Sequence, residues 1–225
     1  GLNCPATRKL DDGSDFYTLP MLRDPDSGTV VGDSFDIANY LEDKFPDSGG
    51  YLFPSDSTRN GLDYESPNRD TVFPAPLTTN EGSRNEAYAR FNTNVDATFT
   101  AYTILVGQFL PFNPETAEAT KAMMAKRAHL RSWDDVCVKG EAREQIKVAF
   151  EKALTSLAEL FMVHEDGPYL EGTRANYADL IVGGWLNMLS VTMPEEEWKD
   201  FRLWHGGVFG RLHDALQENY FKCCD

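Results

Sequence analysis

Apolar residues change their spacing twice along the chain, and each change marks a different kind of structure. Residues 1–50 carry strand and turn signals with one short helix. Tyr17-Thr18-Leu19-Pro20-Met21-Leu22 and Thr29-Val30-Val31 flank the turn-rich Asp24-Pro25-Asp26-Ser27-Gly28, which predicts a β-hairpin. Pro20 removes a ladder donor from the first strand, so an edge position, a bulge or a cis peptide is implied. Asp33, with Asp36 three residues on, has the form of a helix cap, and Ile37, Tyr40, Leu41 and Phe45 follow at helical spacing until Pro46 stops it. Residues 46–83 are rich in Pro, Gly, Ser, Asn and Asp. Tyr51, Phe53, Tyr64 and Phe73 punctuate them, so a linker or functional loop that packs on something is expected.

From about residue 84 the period is helical to the end. Val95, Phe99, Tyr102, Leu105 and Phe109 form one face, closed by Pro111 and Pro114. A second helical stretch covers about 115–139, and a strongly amphipathic one runs from Ile146 to Phe161. Asn176 and Asp179 open a further helix with a capping box, and its body from Leu180 to Leu189 is apolar nearly all round, which predicts a central, buried helix. Two more helices are expected over 194–203 and 206–220.

Composition adds exclusions. The 225 residues carry 21 basic and 36 acidic side chains, a net charge of −15, which disfavours a nucleic-acid or anionic-membrane surface. No apolar run approaches the roughly 18 residues of a membrane span, and Gly1–Pro5 does not open a signal-peptide pattern. Four cysteines, Cys4, Cys137, Cys223 and Cys224, are too few for a disulfide scaffold, so a reduced, cytoplasmic setting is expected. CxxC and HxxxH spacings are absent, and no metal is expected.

Four motifs in order, within this context, carry a resemblance. They are Tyr17-Thr18-Leu19-Pro20, then Val31-Gly32-Asp33-Ser34-Phe35-Asp36-Ile37-Ala38-Asn39-Tyr40-Leu41, then Tyr169-Leu170-Glu171-Gly172 with Tyr177-Ala178-Asp179-Leu180-Ile181-Val182-Gly183-Gly184-Trp185, and finally Trp204-His205-Gly206-Gly207. From about Pro5 to Tyr220 the chain resembles a cytosolic glutathione transferase. More narrowly, it resembles the fungal etherase-related group, relatives of the bacterial β-etherases and of the ustiloxin-pathway transferase. The resemblance implies a thioredoxin-like α/β N-terminal domain, partial here and spanning 1–50, a linker over 51–83, and an all-α C-terminal domain over 84–225. It also implies a homodimer that takes glutathione and a hydrophobic small molecule.

Residue by residue, the resemblance implies a cis bond before Pro20, exposing the backbone of Leu19 to pair with the cysteinyl part of glutathione. The start of the following helix suits the γ-glutamyl carboxylate, with Ser34 adding a hydroxyl and Asp33 meeting the ammonium. Simple helix capping is the competing reading of Asp33 and Ser34. In the family the Asn176–Asp179 box is structural. Trp185 and Met188 belong either to the core or to a second-substrate pocket. His205 reads as a packing or turn residue, while His129, His164 and His213 show no partner pattern.

A thioredoxin-like half needs roughly 45–60 residues of β1–α1–β2 before the cis-proline hairpin, and 19 precede Pro20. The family's activating Ser or Cys is therefore expected upstream of residue 1. Cys4-Pro5 mimics the Cys-Pro pair of cysteine-type members, but its 15-residue distance to Pro20 is too short, and residues 1–16 are expected to be the loop before the hairpin. The expected function is conjugation of glutathione to, or ether cleavage in, an aromatic or secondary-metabolite electrophile. The alternatives are a non-catalytic ligand-binding or interaction protein and a glutathione-dependent isomerase or lyase.

Overall fold

The computed structural model describes Cys4, residues 6–10, 12–46, 48, 52–54, 62–71, 73, 77 and 84–221. Tyr51, Pro5, Cys223 and Cys224, named above, lie outside the described residues.

Two short antiparallel hairpins open the chain. β1 (Arg8–Lys9) pairs with β2 (Asp15–Phe16), and β3 (Met21–Arg23) with β4 (Val30–Gly32). The second is the hairpin its turn residues predict. Asp24 organises that turn, with Oδ1 accepting from the Asp26 N–H at 2.9 Å and Oδ2 from the Ser27 hydroxyl at 2.7 Å. The first hairpin corrects the expectation of a plain loop over 1–16. Its two-residue strands are too short to show alternation, and its turn rests on Gly13 at φ +81° and on Asp12, whose carboxylate accepts from the Ser14 N–H.

α1 (Ser34–Lys44) follows β4 directly. Its buried Phe35 and Ala38 are the only buried apolar side chains among the described residues up to 46. The remaining hold on this unit is polar: Tyr40 and Lys44 on α1 both bond to the Asp24 carboxylate, which their hydrogen bonds keep far below the usual carboxylate range. The described parts of 52–73 pack on the helices. The Tyr64 hydroxyl and the Ser66 hydroxyl each lie 2.7 Å from Thr98 Oγ1, and Asn94 Oδ1 accepts from the Ser66 N–H.

The helical region comprises α2 (Glu86–Thr100), α3 (Ala117–Arg127), α4 (Gly140–Ala153), α5 (Thr155–Leu160), α6 (Tyr177–Thr192), α7 (Glu195–Phe201) and α8 (Trp204–Asn219). α6 packs between α2 and α8, as its all-round apolar sequence requires. Burial of Val182, Leu186 and Leu189 is worth about 1.5–3 kcal/mol each. Aromatic rings continue the core, from Phe99 to Phe150 at 5.6 Å, Phe150 to Phe201 at 5.8 Å and Phe201 to Phe209 at 6.0 Å.

Helix boundaries differ from the periodicity in three places. The face expected to run on through Phe109 leaves α2 at Thr100 and continues in two 3-10 turns, Thr103–Leu105 and Gly107–Phe109. The stretch from 115 ends its helix at Arg127, because His129 adopts φ +55° and Leu130 N–H reaches back to the Ala125 carbonyl at 2.9 Å. The apolar run from Ile146 to Phe161 is two helices joined at Leu154, whose N–H is shared between the Phe150 and Glu151 carbonyls. Both halves keep their apolar face inward, which is why the period continues through the break. At His205-Gly206-Gly207 all three residues have positive φ, and a left-handed kink separates α7 from the regular part of α8. His205 spans back to the Glu151 carbonyl, 2.9 Å from its Nε2.

Candidate functional site

The expected binding residues emerge at one end of the second hairpin. Met21 pairs with Gly32, so Leu19-Pro20 and Asp33-Ser34 leave the ladder side by side. The Leu19–Pro20 peptide is cis and Leu19 is 87% exposed. Thr18, just before it, is tied to the first hairpin by a 3.1 Å bond between its Oγ1 and that of Thr7. Ser34 is exposed at the first position of α1.

Asp33 is 2% exposed, and both its oxygens are engaged. Oδ1 accepts from the Phe35 N–H at 2.9 Å, capping α1, and Oδ2 accepts from Arg8 Nη2 at 3.2 Å. Its backbone, at φ +68°, lies in the left-handed region that Asp tolerates better than most residues. Capping and a charge beside α1 are thus properties of one carboxylate.

The helical region contributes a wall to this end. Asp96 on α2 accepts from Trp185 Nε1 at 2.8 Å, and burial pushes its carboxyl up to about 6 although Arg8 pulls the other way. Tyr177, in the first turn of α6, packs its ring against Phe35 at 5.4 Å and Phe53 at 4.9 Å. Its hydroxyl is driven above the ordinary tyrosine range by burial, and then by Asp33, Asp96 and Asp36, with Ser34 acting in the opposite sense. Arg8, Asp96 and Tyr177 were not singled out in the sequence as site residues. Arg8 lies in a segment without periodicity, and Asp96 and Tyr177 are embedded in helical patterns that account for them as helix residues.

Asn176 and Asp179 form the reciprocal box their spacing predicts. Asn176 Oδ1 accepts from Ala178 N–H at 2.8 Å, and Asp179 accepts from the N–H groups of Asn176 and Leu170, both at 2.7 Å. Asp179 is fully buried, and desolvation raises its carboxyl to about 7. The box ties the Tyr169-Leu170 segment to the helix it starts.

Trp185 and Met188 separate. Trp185 stacks on Phe99 at 5.3 Å and holds Asp96, in the contact between α2 and α6. Met188, one turn on, lines a cavity of about 350 Å³ with Ile104, Val106, Met124, Leu130 and Trp133. That cavity is largely apolar, and the carboxylate of Asp135 at its edge is occupied by the N–H groups of Arg131 and Ser132. The adjoining α3 touches the first hairpin, where the Arg127 guanidinium sits 5.3 Å from the Phe16 ring centre.

Among the described residues no group of three or more His, Cys, Asp or Glu is placed to hold a metal ion, and no helix is long and apolar enough to cross a membrane. Cys4 is a half-buried free thiol.

Comparison with known proteins adds to this geometry. Solved structures share the fold. The glutathione transferase GSTFuA3 from Phanerochaete chrysosporium aligns with a TM-score of 0.73 and 24% identity over 100% of this chain and 78% of its own. A glutathione S-transferase of Ceriporiopsis subvermispora, solved in complex with glutathione, aligns with a TM-score of 0.75 and 21% identity over 100% of this chain and 80% of its own. No curated protein matches in sequence. Residues 105–220 match the family model described as the glutathione S-transferase C-terminal domain, and since this is more than half of the chain, the protein belongs to the glutathione S-transferase family.

Proposed function

We propose that the protein binds glutathione at the shared end of the second hairpin and α1, and joins the whole glutathionyl group through its sulfur to an aromatic or secondary-metabolite electrophile, by conjugation or by ether cleavage in which the ether oxygen departs with the bonding pair. The observation that carries this reading is the juxtaposition of an exposed Leu19 backbone, before a cis proline, with the capped start of α1. An extended peptide pairs with the first, and a carboxylate suits the N–H groups and positive dipole end of the second, with Ser34 adding a hydroxyl. Two of the solved relatives in fold are complexes with glutathione, which supports the choice of ligand. Asp33 keeps its capping bond and its Arg8 partner while lending negative charge to the ligand's ammonium.

The hydrophobic second substrate belongs in the cavity that Met188 lines, whose size suits an aromatic molecule and whose walls discriminate against charge. The etherase-related motifs support this acceptor class, and a cytoplasmic homodimer with its N-terminal unit over 1–50 and helical unit over 84–225 completes the reading. The test is retention on immobilised glutathione together with conjugation of 1-chloro-2,4-dinitrobenzene. Retention weakened by Ser34→Ala, and formation of the conjugate, are the expected results. No retention of the wild-type protein would overturn the reading, and retention without any conjugate would leave a carrier in place of a transferase.

A further inference from the structure

The cavity that Met188 lines has a second hollow beside it, of different chemistry. A groove of about 690 Å³ follows α3 and the turn after it, and Leu130 and Trp133 line both spaces. Both side chains are half-buried, so the boundary they form reaches solvent. The cavity has no Lys, Arg or His among its described lining residues, whereas the groove is lined by Lys121, Lys126, His129 and Arg131, with Glu118 and Asp134. From Lys121 to Arg131 the chain has four Lys or Arg and no Asp or Glu, although acids outnumber bases 36 to 21 in the whole sequence. Solubility does not require such a strip, since acidic side chains serve it at least as well.

Most of these charges are already matched. Lys121 pairs with Glu118 at 3.3 Å, and Arg127, on the same strip, lies over the Phe16 ring. The side chains of Lys126 and Arg131 are exposed and have no ion-pair partner among the described residues. Against these two the groove sets one further carboxylate, Asp134. One positive charge is left over, which a monoanion balances. The backbone that carries it is fixed: Leu130 N–H bonds to the Ala125 carbonyl at 2.9 Å, and the Asp135 carboxylate holds the N–H groups of Arg131 and Ser132 at 3.0 and 3.2 Å.

Neither hollow alone specifies a ligand, but together they do. An anion has no partner inside the apolar cavity, and an uncharged ring gains nothing from the groove. A molecule with both parts places its ring in the cavity against Trp133 and its charged group across the Leu130–Trp133 boundary. There the Arg131 guanidinium offers the paired N–H donors that suit a carboxylate. A cavity of about 350 Å³ has room for one small aromatic unit.

We infer that the acceptor taken by this cavity is an aromatic carboxylate, with Lys126 and Arg131 as the specificity residues for its anionic group. The inference rests on the placing of the second substrate in that cavity under the proposed function, and adds to it the charge of the substrate and where that charge is held.

Calorimetric titration of 2-naphthoate and of its neutral amide, 2-naphthamide, into the wild type and into the double variant Lys126→Gln/Arg131→Gln tests this. The wild type is expected to bind the carboxylate about fivefold more tightly than the amide, a modest ratio because both cations are exposed. The double variant should lose that preference with the amide Kd unchanged, and high salt should shrink it in the wild type. Equal Kd values for the two probes on the wild type, a preference that survives in the double variant, or no binding of either probe would each overturn the inference. Retention of the wild type on immobilised glutathione, measured alongside, separates the two readings. Retention without the carboxylate preference overturns this inference alone, whereas the preference without retention overturns the transferase reading and leaves the aromatic-carboxylate site standing.

Discussion

The hairpin–α1 unit and the helical region solve the problem of stability in opposite ways. The first has two- and three-residue strands, and among its described residues only Phe35 and Ala38 are buried apolar side chains. It is held by polar links, Arg8 with Asp33 and Tyr40 and Lys44 with Asp24, and by leaning Phe35 on Phe53 and Tyr177. The second has a continuous aromatic and aliphatic core along α2, α4, α6, α7 and α8. Exposed backbone and an accessible helix start are what peptide recognition requires, and a thick core would cover both. The candidate site therefore belongs to the thinly cored unit, and the helical region contributes rigidity and the walls behind it.

The sharpest way to break this comparison is Phe35→Ala. Removing the larger of that unit's two buried apolar side chains among the described residues should cost about 3–5 kcal/mol. Hydrogen exchange should show the loss of protection concentrated over residues 21–44. Phe201→Ala, with a similar truncation in the helical core, should instead lower protection throughout α4, α7 and α8. Phe35 adjoins the helical core in one cluster of buried residues, and equal patterns from the two variants would mean that the two units open together.

Asp179→Ala comes next, at about 2–3 kcal/mol in urea unfolding, because two buried N–H groups lose their acceptor at the start of α6. The effect should reach the site as well, since Tyr177 lies within the same turn.

Asp96→Asn tests the wall between the units. The folded protein holds the Asp96 proton up to about pH 6, whereas the unfolded chain releases it near pH 4. Stability from this group is thus fully present below pH 4 and is lost as pH rises to 6. The amide oxygen still accepts from Trp185 Nε1, so the variant should remove about 1–2 kcal/mol of that fall, read from urea midpoints at pH 4, 5, 6 and 7. A smaller slope extending to about pH 7 should remain, from Asp179.

The smallest effect is expected at Gly183 on α6, where a Cβ would stand 2.2 Å from Leu216 Cδ1. Gly183→Ala should cost about 1 kcal/mol by overpacking the contact of α6 with α8, and leave glutathione affinity unchanged.

Much of this molecule is readable from local pattern. The 21–32 hairpin, α1 with Asp33 at its cap, the central α6 with its Asn176–Asp179 box, and the order of the helices all follow from turn residues, capping residues and apolar period. Each of these is decided within a few residues of chain. The β1–β2 hairpin was not legible because strands of two residues carry no alternation, and the break at Leu154 was not because both sides keep the same apolar face.

The site divides along the same line. By itself the sequence determined that Leu19-Pro20 and Asp33-Ser34 flank one hairpin, since the turn between β3 and β4 sets their register. Only the tertiary structure decided that Arg8, Asp96 and Tyr177 meet there, and that Trp185 turns to Asp96 while Met188 faces the cavity. Those residues come from segments up to 180 positions apart in number, from Arg8 to Met188. Which side chains converge across such separations is set by how helices and hairpins pack, and packing leaves no period in the chain to read.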